Sequence, residues 1–213
     1  MSVADPGSEA SRQSDYSDRP YPVVYLNESE IQRCYELARE RDSSKDGRGY
    51  LDEDQNSFMA HFRGVQGELA VAKWYGVEDT FDDEIYEDEG DDGVDLEIAR
   101  FGVDVKTTPY DETGRLLMDQ HHVYEALDDP EKTIPDAFYL VEEIEKGVLG
   151  LVGWCTLAEL LDREPRKWPR DTLNYVVERD ELRDFHEKRG DARTESVDVT
   201  FDTSFESASG LAD

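Results

Sequence analysis

Lysine is scarce in this chain. Only seven of its 213 residues are Lys, and Lys and Arg together number 23 against 53 Asp and Glu, a formal net charge of −30. No basic run exists; the densest stretch is Arg163-Glu164-Pro165-Arg166-Lys167-Trp168-Pro169-Arg170. At low salt, that shortage excludes the ordinary route to a polyanion, in which clustered cations release condensed counterions. Cysteine is almost missing as well: Cys34 and Cys155 are too few for a disulfide framework or a zinc site, and both are expected as reduced, core or near-core residues. His61, His121, His122 and His186 share no metal-ligand spacing, so surface or packing roles are expected of them. Long apolar runs are lacking too. The longest, near Val148 to Cys155, is far too short to span a bilayer, and the polar, acidic stretch Met1 to Ser17 has no signal-peptide pattern, so a cytoplasmic protein is expected.

What the chain does have is a core's worth of apolar residues. An apolar content of 37%, with three Trp and eleven Tyr, argues against disorder through the middle. The acidic surplus then reads as adaptation to a cytoplasm of molar salt, where self-repulsion is screened within about 3 Å at 1 M ionic strength. A halophilic host is expected. The organisation expected is a flexible acidic tail over 1–21, one domain over 22–189, and an acidic disordered tail over 190–213.

Local patterns divide the domain. Asn27-Glu28-Ser29-Glu30 reads as a capped helix start, with Ile31, Tyr35 and Ala38 on the buried face. A second helix is expected from Ser57 to Gly64 onward, ending at Gly76, with Val65, Leu69 and Ala72 on one stripe and Glu68 beside it. Gly64 and Gly67 mark its first turn or a close backbone approach. An acidic link, 79–92, leads to a hairpin. Residues 113–128 read as a strand end followed by a helix, 137–144 and 148–154 as paired strands, and Thr156 to Glu159 as a second capping box. Leu173 to Val177 suggests an edge strand and Asp180 to Lys188 a short helix.

The chemistry concentrates on the hairpin. Strands alternate their faces, so Asp104 and Lys106 point one way, as do Asp95 and Glu97, while Val94, Leu96, Ile98, Val103 and Val105 form the apolar rows. With Ala99-Arg100-Phe101-Gly102 as a turn closed by glycine, Asp95 lies opposite Lys106 and Glu97 opposite Asp104. Asp95 and Asp104 are then diagonal neighbours, about 7 to 8 Å apart. Glu97, Asp91 and Asp92 are expected as solvated surface. Carboxylates beside one cation suit a hard divalent ion such as Mg²⁺, and phosphodiester hydrolysis is the chemistry suggested. Trp168, among Arg166, Lys167 and Arg170, reads as a base-stacking residue or a loop anchor.

A helical glutamate, then Asp, then Asp-x-Lys on a hairpin resembles the PD-(D/E)XK nuclease superfamily. Asp95 matches the first motif and Asp104-Val105-Lys106 the second. The runs Gly67-Glu68-Leu69-Ala70-Val71-Ala72, Lys106-Thr107-Thr108 and Gly153-Trp154-Cys155-Thr156 are similar to uncharacterised members from phages and archaeal viruses, with the likeness covering 21–185. Val94 stands where the first motif's proline would be. The resemblance implies an α/β, restriction-endonuclease-like sandwich with a mixed central sheet flanked by helices. It further implies a Mg²⁺-dependent nuclease, with Mn²⁺ as substitute, in which Asp95, Asp104 and the Val105 carbonyl ligate the ion. Glu68 would bind a water, a second ion or the first ion directly, and Lys106 would orient the attacking water. The two cysteines do not provide the cluster of the superfamily's iron–sulfur branch. Nucleic acid, with DNA favoured, is the implied partner; a homodimer stays open and no membrane is expected. Two rival readings are a nuclease fold that serves only to bind and an acidic mimic of DNA that blocks another enzyme.

Overall fold

The computed structural model describes residues 16, 18–44, 57–78, 81, 93–109, 114–129 and 132–185. The expected C-terminal tail, most of the N-terminal one, His186 and nearly all of the acidic link lie outside those residues. In chain order the elements are β1 (Val23–Tyr25), α1 (Glu28–Ser44), α2 (Ser57–Tyr75), β2 (Leu96–Ile98), β3 (Phe101–Pro109), β4 (Arg115–Asp119), α3 (Gln120–Asp128), β5 (Ala137–Glu145), β6 (Val148–Thr156), α4 (Leu157–Leu161), β7 (Arg166–Lys167) and β8 (Leu173–Glu178). A short 3-10 turn, Arg179–Glu181, follows.

Helix α1 begins where its cap dictates. Asn27 Oδ1 accepts from the Glu30 amide at 3.0 Å, and Glu30 Oε2 accepts from the Asn27 amide at 2.7 Å, so two otherwise orphaned donors are satisfied reciprocally. The helix buries Cys34, Leu37 and Ala38. Tyr35, expected on that face, is 43% exposed and meets Phe58 edge-on, with ring centroids 4.9 Å apart. Helix α2 is buried all round from 65 to 72, because it lies between α1 and a sheet. Gly67 permits that approach: a Cβ there would come within 1.8 Å of Thr107 Oγ1 on β3. Gly76, at φ 68°, ends the helix as expected.

The main sheet has the order β1-β6-β5-β3-β2. Only β3 and β5 run parallel; the other neighbours are antiparallel, so the sheet is mixed. One face packs against α1 and α2 through Val103, Val105, Tyr139, Val141, Leu149 and Leu151. Its opposite face carries a second sheet, β4-β8-β7, joined through Phe138, Leu140 and Cys155 to Leu116, Tyr175 and Val177. An α/β architecture with a mixed sheet is therefore present, but the far side is a second sheet with the short helices α3 and α4 rather than a layer of helices alone. Strand β8, expected at an edge, is central in that second sheet. Of the expected 180–188 helix, residues 180–185 are described and hold the end of the 3-10 turn, after which Arg183 bridges to Trp154; 186–188 lie outside the described residues.

A buried charge ties the termini of the described domain to this frame. Glu142 is only 2% exposed and accepts from Tyr21 Oη at 3.0 Å and from Arg179 Nη2 at 3.1 Å. Breaking one partner would leave a buried charge uncompensated, which costs far more than a surface ion pair gains.

Candidate active site

The hairpin turns more tightly than its sequence suggests. Leu96 pairs with Val103, Glu97 with Gly102 and Ile98 with Phe101, which leaves only Ala99 and Arg100 in the turn. Both have positive φ, 50° and 77°, as a two-residue turn matched to strand twist requires. The expected four-residue turn is thus corrected by two residues. Continuing the observed register sets Asp95 beside Asp104, not beside Lys106, and Glu97 faces Gly102 instead of Asp104. The Asp95 amide donates to the Val103 carbonyl at 2.8 Å, so Asp95 and Leu96 share one partner residue, as at a β-bulge.

That irregularity aims the Asp95 side chain across the open end of β2. Its Oδ2 accepts from the Val105 amide at 2.6 Å, standing in for the strand partner that β2 no longer provides there. On β3, Lys106 Nζ donates to Asp104 Oδ1 at 2.5 Å, which puts the two on one face as their spacing predicts. Asp104 is 7% exposed, and its Oδ2 is buried with no hydrogen-bond partner among the described residues.

Glu68 reaches the cluster from the other side. In the parallel pairing Asp104 matches Phe138 and Lys106 matches Leu140, residues of the core beneath the second sheet, whereas Val103 and Val105 face the helices. Asp104 and Lys106 therefore project toward the second sheet and Glu68 arrives from the helix layer. Both Glu68 oxygens accept from Arg41 Nη1, at 3.0 and 3.1 Å. Nearby on α1, burial and then the Glu68 charge push the Cys34 thiol up to about 12, so that sulfur stays protonated and inert.

Asp95 is where the two sides meet. Burial, then the charges of Glu68 and Asp104, hold its carboxyl well above the usual carboxylate range, although Lys106 and the Val105 amide favour its charged form. Three carboxylates and Lys106 thus converge electrostatically on one point at the sheet edge. Among the described residues, however, no three His, Cys, Asp or Glu side chains are gathered as a ready metal cage. Each acid already has a protein partner: Arg41 for Glu68, the Val105 amide for Asp95 and Lys106 for Asp104. The buried Asp104 Oδ2 and the Asp95 carboxyl, on which the Asp104 charge acts, are oxygen donors of the kind a hard divalent cation takes; a cation there would supply the missing contact and favour the charged form of Asp95.

The arginine-rich segment is less available than its sequence suggests. Arg166 Nη2 donates to Glu178 at 2.5 Å, Lys167 Nζ to Asp171 at 3.4 Å and Arg163 Nη1 to Glu181 at 2.8 Å. Arg115 also pairs with Glu178, and its guanidinium lies 4.8 Å from the Trp168 ring centroid, so Trp168 is engaged within the fold. A cavity of about 550 Å³ opens near Tyr21, Arg115 and Arg179, away from the acids. Both arginines there are already paired, with Glu178 and Glu142.

Sequence reasoning missed Arg41, whose role depends on a partner 27 residues away. Thr107, which its sequence offers as a strand former or as a hydrogen-bonding neighbour of the site, lies on β3. Its hydroxyl is buried against Gly67, without a hydrogen-bond partner among the described residues. No helix among the described residues is long and apolar enough to cross a membrane. No family model, curated protein or solved structure matches the chain.

Proposed function

We propose that the chain is a metal-dependent nuclease of the PD-(D/E)XK type, with a restriction-endonuclease-like core, that hydrolyses phosphodiester bonds of nucleic acid, DNA by preference. The observation that carries this reading is the buried Asp104 oxygen, without a hydrogen-bond partner among the described residues, together with Asp95, whose own carboxyl is held high by burial and by the charges of Glu68 and Asp104. Folding leaves that arrangement at a cost. Natural proteins keep such costs mostly at functional sites.

Asp95 and Asp104 would hold Mg²⁺ or Mn²⁺, with the Val105 carbonyl as a further oxygen. The ion supplies charge neutralisation and an activated water at the phosphorus. Lys106, 45% exposed at its side chain, is placed to hold a water or a phosphoryl oxygen by donating from Nζ. Its ammonium is held against the Asp104 carboxylate, a placement that suits orientation and electrostatic stabilisation. Glu68, held by Arg41, contributes charge next to Asp95. A cytoplasm of high salt is the proposed setting, since the chain is strongly acidic and Arg166 and Lys167 are already paired with Glu178 and Asp171.

One observation favours the binding-only alternative: every acid of the cluster has a partner within the protein. The deciding test is incubation of wild type and Asp104→Asn with linear, circular and branched DNA and Mg²⁺ or Mn²⁺ in molar KCl. Cleavage by the wild type that Asp104→Asn loses is the expected result. Binding without cleavage by either protein would leave the binding role standing in place of the nuclease.

A further inference from the structure

Resting on the nuclease reading, we infer that the Arg41 guanidinium fills the place a second metal ion would take, so that the site accepts one divalent cation and Arg41 acts as a positioning residue for Glu68. Glu68 is 5% exposed, and both of its oxygens face the same nitrogen, Arg41 Nη1, at 3.0 and 3.1 Å. A buried carboxylate needs a counter-charge, and here a protein cation provides it. The acids divide accordingly. Asp104, with its unpartnered Oδ2, looks toward the second sheet with Lys106, while Glu68 is turned to the end of α1.

Geometry points the same way: both Glu68 oxygens are taken up by one guanidinium nitrogen, whereas Asp104 keeps a buried oxygen with no hydrogen-bond partner among the described residues, so the unmet oxygen lies on the Asp104 side. Sequence leaves Glu68 open between a water, a second ion and the first ion, and offers no protein cation as its partner. Arg41 lies on a different helix, in its last turn.

The test is the number of Mn²⁺ ions bound by the full chain in molar KCl, measured by calorimetry and by loss of the free-ion paramagnetic resonance signal. Wild type should bind one ion. Arg41→Ala should bind two, and Arg41→Ala combined with Glu68→Gln should return to one; Arg41→Lys should stay at one. Because Arg41→Ala strands a buried charge and could fail to fold, Glu68→Gln alone provides an independent readout. It keeps a partner for Arg41 and, because Glu68 contributes charge and no direct ligand, should weaken Mn²⁺ binding by less than about threefold with one ion still bound, while Asp104→Asn should weaken it by at least about tenfold. Two ions on the wild type, one on a folded Arg41→Ala, or a tenfold loss in Glu68→Gln would each overturn the inference while leaving the nuclease reading intact. No Mn²⁺ on the wild type would remove both.

Discussion

At the scale of single residues, Asp95 ties the stability of the fold to the proposed activity. Its carboxyl titrates above its unfolded value, so between the two values the folded protein binds the extra proton and stability falls as pH rises. The destabilisation is absent below the unfolded value of about 3.9 and complete above the folded one. Asp95→Asn should therefore raise the melting temperature at pH 7, by an amount that shrinks toward pH 4, and should lose cleavage. Mg²⁺ should raise the melting temperature of the wild type and not of the variant. Lys106→Met removes the donor at 2.5 Å from Asp104 Oδ1 and should abolish turnover while Mn²⁺ still binds. Retained turnover in single-turnover assays would take Lys106 out of the mechanism. The Asp104 and Lys106 pair was legible in the sequence because a two-residue spacing on a strand is geometry. Arg41 was not, because nothing local to it or to Glu68 announces a contact between two helices.

At the scale of elements, the β2–β3 turn is where sequence misled and structure corrects. Two-residue turns ordinarily announce themselves by Asn-Gly or Asp-Gly, and here Ala99 and Arg100 take those positive-φ positions. The eye goes instead to Gly102, which lengthens the turn by two residues and slides Asp95 from its place beside Asp104. A left-handed conformation costs a non-glycine residue about 1–2 kcal/mol. Replacing Ala99 with Asn and Arg100 with Gly should therefore stabilise the domain by about that amount in urea melts, with cleavage unchanged. A loss of stability would mean that the turn is not of this form. Capping boxes fared better: those at Asn27 and Thr156 form as read, because they need only residues three apart. Helix α2 was underestimated for the opposite reason. A stripe was expected, yet it is enclosed on two sides, and the second partner comes from the hairpin layer that no local pattern reveals.

At the scale of the whole molecule, a net charge of −30 sets the working conditions. The acidic surface repels a polyanion at low salt, and screening within about 3 Å at 1 M removes most of that repulsion. Both folding stability and cleavage should rise along a KCl series toward molar concentration; a cleavage optimum at low salt would contradict the proposed setting. The α/β class and the mixed sheet were readable from the order of helices and apolar strand pairs. The second sheet was not, since its strands β4, β7 and β8 are five, two and six residues long and β4 finds β8 across more than fifty residues of chain. The central claim, that this fold brings Asp95 and Asp104 together around a divalent ion, is tested most directly by anomalous diffraction from a crystal of the protein soaked in Mn²⁺. The expected result is one anomalous peak within coordination distance of both carboxylates, with Lys106 Nζ moved off Asp104 Oδ1. A peak elsewhere on the acidic surface, with the Lys106–Asp104 contact unchanged, would contradict it.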